Sequence, residues 1–256
     1  MTDVLIEVQD HVALITLNRI QKHNAFDERI LTELQALLDQ AIQNPQVHVI
    51  LLKANGPHFC SGADIGWMQR MAEFSEEENL ADALILARLM NRLYECPKPT
   101  IAMVQGSAMG GGVGLVAACD IAIAADDARF CFSEVKLGLI PAVISPYVIK
   151  AIGERMALNL FMSAEVINAQ RALALNLVQQ CVSKETLATH TMAYAQHIAQ
   201  WPAEAVYAAK SLVRQVASAP IDSALQALTA SLIAKQRVSV EGQRGLKAFL
   251  HKDNQP

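Results

Sequence analysis

Three short stretches of this chain hold the residue types that chemistry needs. Glu134 closes the run Arg129-Phe130-Cys131-Phe132-Ser133 and is followed by Val135, Leu137, Leu139 and Ile140. An ionised carboxylate is costly to bury in such company, so Glu134 is either solvated at a strand end or held with a raised pKa, ready for proton transfer. Met109-Gly110-Gly111-Gly112-Val113-Gly114 follows a candidate strand and opens an apolar helix. Its glycines let backbone approach closely and leave the first helical N–H groups free to receive negative charge; equally, they permit tight packing of helix on strand. Ser61-Gly62-Ala63-Asp64-Ile65 is a second turn into a helix, with Asp64 placed as its N-cap. Two such turns can aim two backbone N–H groups at one oxygen, the arrangement that stabilises an oxyanion.

Other chemistries fit poorly. Gly112, Gly114 and Ala117 satisfy a GxGxxA pattern, but Asp126 and Asp127 come too early for the acid a dinucleotide fold needs about 20 residues on. No Gly-Lys-Ser/Thr follows the glycines, and no GxSxG elbow is present. His23 and His58 lie in loops without partners at ligand spacing, so no metal is expected. Cys60, Cys96, Cys119, Cys131 and Cys181 are widely spaced with no CxxC and read as reduced, mostly buried thiols of a cytoplasmic protein. Lys235, Arg237, Arg244, Lys247 and Lys252 are scattered along a C-terminal helical stretch as a solvated face, some of them placed to hold a phosphate.

The elements around these residues alternate. Val4–Val8 and Val12–Leu17 read as strands joined at Asp10-His11. Asp27 caps a helix whose face is Ile30, Leu31, Leu34, Leu37, Leu38, Ala41 and Ile42. Val47–Lys53, Thr100–Gln105, Ile121–Ala124 and Arg129–Ser133 read as strands, with helical pattern before Glu95 and from Gly112 to Cys119. Beyond Gly153 the patterns are helical, apart from a possible strand at Gln179–Val182. This is α/β architecture with a helical C-terminal part, and no Pro-, Gly- or Ser-rich linker divides it. The chain has 256 residues, 52% of them hydrophobic, and a net charge of −4. That leaves no basic field for nucleic acid or anionic lipid. No apolar run approaches the roughly 20 residues that span a bilayer, so neither nucleic acid nor membrane is an expected partner.

Taken together, the motifs resemble the crotonase (enoyl-CoA hydratase/isomerase) superfamily. Leu17-Asn18-Arg19 with Asn24-Ala25-Phe26 looks like its first signature and Phe59–Ile65 its second. Gly110-Gly111-Gly112 with Cys119-Asp120-Ile121 looks like the third, and Phe132-Ser133-Glu134 with Leu137–Pro141 the fourth; Gly245–Phe249 with Lys252 completes the set. The resemblance implies a ββα spiral core over 1–195 and a helical trimerisation region over 196–256, packed on the core or on a neighbouring subunit, in a homotrimer or a dimer of trimers. It implies an acyl-CoA thioester as substrate, with coenzyme A part of the substrate and no separate cofactor. The thioester oxygen would rest on the Ala63 and Gly111 N–H groups, with Glu134 as general acid and base. Gln21, Lys22, Ala25, Ala63, Asp64, Ile65 and Gly66 would line the coenzyme A path. Gly110, Pro141 and Ser145 would also contact the substrate, a water being steadied by backbone or by Ser145, and Lys22 and Lys252 are candidates to meet the phosphates.

One departure bears on the reaction. Hydratases of this family usually carry a second glutamate two residues after the glycine run, where this chain has Gly114. A single carboxylate suffices to move a double bond, so a Δ3,Δ2-enoyl-CoA isomerase competes with a hydratase; a non-catalytic acyl-CoA binder is a third reading. Gly112-Val113-Gly114-Leu115, the stretch 142–153 and Val238–Gly242 are similar to bacterial methylglutaconyl-CoA and isohexenylglutaconyl-CoA hydratases. This implies water addition to a branched enoyl-CoA such as 3-methylglutaconyl-CoA, with 142–153 as a loop shaping the acyl pocket.

Overall fold

The computed structural model describes residues 2–252, with side chains as far as Leu250. β1 (Val4–Gln9) and β2 (Val12–Leu17) form a hairpin across Asp10 and His11, both at positive φ, as a two-residue turn of matching twist requires. β3 (Val49–Ala54), β4 (Thr100–Val104), β6 (Ile121–Ala125) and β9 (Gln180–Val182) continue the sheet in parallel, in the order β1-β2-β3-β4-β6-β9. Every residue of β2 and β4 is buried, which is why these strands read as unbroken apolar runs rather than alternating ones. β3 begins at Val49, not Val47: Val47 is buried but lies outside the ladder.

Helices cross between the strands. α1 (Glu28–Gln43) starts at Asp27, whose carboxylate accepts the Ile30 N–H at 3.0 Å, and buries Ile30, Leu31, Leu34, Leu38 and Ala41. The helical pattern before Glu95 is two helices, α2 (Ile65–Met71) and α3 (Glu76–Tyr94). Ser75 and Glu78 restart the chain as a capping box. α4 (Gly111–Ala118) is apolar all round and almost wholly buried.

Of a second, smaller sheet the sequence shows only the middle strand. β5 (Ser107–Met109) pairs in parallel with β7 (Arg129–Cys131), and β7 pairs antiparallel with β8 (Ile167–Asn168). The outer strands β5 and β8 are three and two residues long, too short to show a periodicity. The stretch 142–153 is likewise not a loop. α5 (Ser145–Ile152) has Pro146 in its first turn, where a missing N–H costs nothing, and Val148 and Ile152 turn inward one helical turn apart. α6 (Glu154–Ser163), α7 (Ala169–Ala174) and α8 (Leu187–Ala199) follow.

The chain divides into two compact units, residues to Gln196 and residues from His197 onward. The second holds α9 (Ala203–Val216), α10 (Ser223–Val238) and α11 (Val240–Lys252). Within it, Glu241 of α11 accepts the Ala205 N–H at 2.9 Å and so closes the start of α9. No residue of α9 or α10 is buried. Among the described residues no helix is long and apolar enough to cross a membrane.

Candidate active site

The glycine turns of the sequence meet in a strip of single backbone rungs. Cys60 donates to the Ser107 carbonyl at 3.0 Å and accepts from Met109 N at 2.9 Å. Two residues on, the pairing changes sides: Phe26 N donates to the Gly62 carbonyl and Asp64 N to the Phe26 carbonyl, both at 2.9 Å. Gly62, at φ 94°, supplies the reversal that an L side chain resists. Because its two neighbours bond to Phe26, Ala63 turns its own N–H to the opposite side, and no described residue accepts it. The Gly111 N–H opens α4, where no helical carbonyl can reach it, and it too has no acceptor among the described residues.

Glu134 is fixed against the same turn. β7 ends at Cys131, whose carbonyl accepts Gly110 N at 2.8 Å. Glu134 then begins a 3-10 turn to Leu137, three residues past the strand rather than at its end, because the chain must bend to bring the carboxylate back over the glycines. A Cβ on Gly110 would stand 3.2 Å from Glu134 Oε1, so the carboxyl lies against the neighbour of a free N–H, at a position whose φ of 50° also favours glycine. Oε2 is buried and has no hydrogen-bond partner among the described residues. Burial pushes the Glu134 carboxyl above the ordinary glutamate value, a contact with its own backbone opposes this, and no second carboxylate contributes.

The position of the missing glutamate is occupied. A Cβ on Gly114 would come within 2.2 Å of Ile144 Cγ2 and 3.0 Å of Met90 Cε. Ile144 is buried at the head of α5 and fills the space where a side chain at 114 would start. The branched residues of 142–153 are therefore largely spent on the core, with Ile144 closing over α4.

The remaining candidates are placed as follows. Asp64 is buried as the N-cap of α2: Oδ1 accepts from Gly66 N at 2.8 Å, and Oδ2 faces Arg19 Nη1 at 3.3 Å and Lys22 Nζ at 3.5 Å. Burial alone would raise its pKa, but the Trp67 N–H, Arg19, the Gly66 N–H and Lys22 outweigh it and hold the carboxyl below its usual range. Asp64 thus orders the turn and keeps Lys22 on it. Gln21 and Lys22 are exposed, Ala25 is buried, Gly66 half-buried, and Ile65 is 71% exposed. Pro141 is buried, and the Ser145 hydroxyl donates to the Ala142 carbonyl at 2.8 Å, leaving its lone pairs for a water. Lys252 ends α11, and its side chain lies outside the described residues. Sequence reasoning missed Ile144 and Phe26, whose contacts with glycines 30 and 85 positions away leave no local signal.

Two N–H groups without acceptors among the described residues, one of them next to the glycine against which the half-buried Glu134 carboxyl lies, make a site that can hold a carbonyl oxygen while a proton moves near it. The enoyl-CoA hydratase/isomerase family model matches residues 7–256. A Legionella pneumophila structure of the enoyl-CoA hydratase/isomerase (crotonase) class superposes with a TM-score of 0.96 at 62% identity, over 98% of this chain and 97% of that one. An enoyl-CoA hydratase structure from Shewanella pealeana gives 0.94 at 43% identity, covering 98% and 94%. The 2,3-dehydroadipyl-CoA hydratase of Escherichia coli is 30% identical over 98% of this chain and 97% of its own length. The chain belongs to the enoyl-CoA hydratase/isomerase family and has the crotonase fold of that enzyme class.

Proposed function

We propose that this protein adds water reversibly across an α,β-unsaturated acyl-CoA, with Glu134 as the single acid and base and the Ala63 and Gly111 N–H groups as the oxyanion hole. The observation that carries this reading is the Glu134 carboxyl, whose Oε1 lies against Gly110, one residue from a free donor, while its Oε2 is buried with no hydrogen-bond partner among the described residues. The Glu134 carboxylate takes a proton from water while the oxygen attacks Cβ, and charge moves onto the thioester oxygen as an enolate. The carboxylic acid so formed returns the proton to Cα on the same face. Each N–H can contribute about 3 to 4 kcal/mol to lowering the barrier. For the acyl group we propose a branched chain of the 3-methylglutaconyl type, supported by the motif likeness at 112–115 and 238–242. For the assembly we propose a trimer or a dimer of trimers.

Gly114 favours a second reading. With Ile144 filling the space of a further carboxylate, one glutamate could instead carry a proton from Cα to Cγ, as in a Δ3,Δ2 isomerase. Hydration of 3-methylglutaconyl-CoA, and double-bond migration in a 3-enoyl-CoA in deuterated water, are to be measured on wild type and Glu134→Gln. The expected result is hydration lowered by about a hundredfold or more in the variant. Migration without hydration would establish the isomerase, and an unimpaired variant would remove Glu134 from the mechanism. Binding without either reaction would leave an acyl-CoA binder.

A further inference from the structure

The two N–H donors come from segments far apart in the chain, yet one residue touches both. Phe26 frames Ala63 with its backbone, through the bonds to the Gly62 carbonyl and from Asp64 N. Its ring lies against the other donor: a Cβ on Gly111 would fall 2.4 Å from Phe26 Cζ, and 3.3 and 3.4 Å from Cε1 and Cε2. The ring is in turn held by Trp67, edge to face with centroids 6.1 Å apart. Trp67 Nε1 donates to Asp82 Oδ1 at 2.9 Å, and Trp67 sits in the first turn of α2, which Asp64 caps. Phe26 and Trp67 are both buried, so neither ring has another place to go.

We propose that Phe26, with its ring fixed by Trp67, is a positioning residue that sets the separation of the Ala63 and Gly111 N–H groups. The proposal rests on the oxyanion-hole reading of those donors. Two hydrogen bonds to one oxygen require both donors within a few tenths of an ångström and well aligned, since such bonds weaken steeply with angle. A strand bridge on one side and a rigid ring on the other couple the two segments through one residue. Glycine at 111 is the complement of that ring, because no side chain fits between it and the backbone. Misplacement by about 1 Å costs on the order of a hundredfold in rate.

A ring that only filled the core would lower stability without altering how a bound carbonyl is polarised. The probe is 4-(dimethylamino)cinnamoyl-CoA, whose absorption moves to the red when its thioester oxygen is polarised. Wild type should shift the bound probe. Phe26→Leu removes the three ring atoms nearest Gly111 and should lose most of that shift. It should also lower kcat for hydration about tenfold to a hundredfold while KM changes less than about threefold. Gly111→Ala should lose the shift as well, and adding Phe26→Leu should restore part of it, because the new methyl then has room. Trp67→Phe keeps an aromatic ring but not the bond to Asp82; it should give a smaller loss of the same kind and replaces Phe26→Leu if that variant does not fold. A folded Phe26→Leu or Trp67→Phe with the full shift and kcat, or simply additive losses in the double variant, would overturn the proposal. A bound probe left unshifted by wild type would instead overturn the oxyanion hole itself.

Discussion

Glu134 is the residue on which reaction and stability meet. Burial in the folded chain favours its neutral form, so the folded state binds this proton more tightly than the unfolded one. That contribution is complete below the ordinary value of 4.5 and is lost as pH rises through the raised pKa of the folded protein. Glu134→Gln, uncharged throughout, should therefore melt at a higher temperature than wild type near about pH 7, and the gap should close below about pH 4. Calorimetry across pH decides this; a Gln variant that melts lower at neutral pH would mean that the carboxylate is stabilised, not strained, where it lies. The same direction governs activity. In the proposed hydration the ionised carboxylate activates water, so kcat/KM should fall on an acid limb lying above 4.5, and Glu134→Gln should abolish that limb. The two glycine turns and this carboxylate were legible as candidates because glycine runs and a lone glutamate in an apolar stretch are local signals, whereas Ala63 and Gly111 as the particular donors came from the family resemblance. The setting of Glu134 was not legible: whether it faced water or the glycines depended on a bend after Cys131 that no spacing announces.

Between elements, the decisive contact joins α4 to α5. Gly114 lets the two approach until Ile144 stands where a side chain would begin. Gly114→Ala should destabilise the fold by about 1 to 3 kcal/mol through overpacking. In an Ile144→Ala background the same change should cost much less, a coupling that urea unfolding of the four proteins would measure. Strictly additive costs would show that the space is not shared. The long elements were legible for simple reasons: Asp27 and its apolar stripe for α1, and unbroken β-branched runs for the parallel strands. α5 was hidden by Pro146, which reads as a breaker yet sits in the one turn of a helix that accepts it. β5 and β8 were hidden by length alone, since two or three residues cannot display a period. These short strands nevertheless hold the site together, so the part of the fold nearest to function was the part least visible in the chain.

At the scale of the molecule, the apolar surplus of the composition is only partly consumed by the core. Val213, Ile221, Val238, Val240 and Phe249 of the C-terminal unit stand more than half exposed, as do Leu137, Leu139, Ile140 and Met162 of the first. These exposed apolar side chains are where the proposed trimer or dimer of trimers would bury surface. Light scattering at micromolar concentration should give three or six copies per particle, and Val213→Asp should shift the population towards smaller species; a wild-type monomer would refute this. The strip that carries the site also divides its amide hydrogens into two sets. Those of Phe26, Cys60, Asp64, Met109 and Gly110 bridge segments, while those of Ala63 and Gly111 are held by nothing in the described chain. Deuterium from solvent should enter first at 63 and 111, and a bound CoA thioester should slow these two above the rest. Each turnover would then begin with the quenching of two exchange sites, and their protection would report occupancy of the site without any chemistry having occurred.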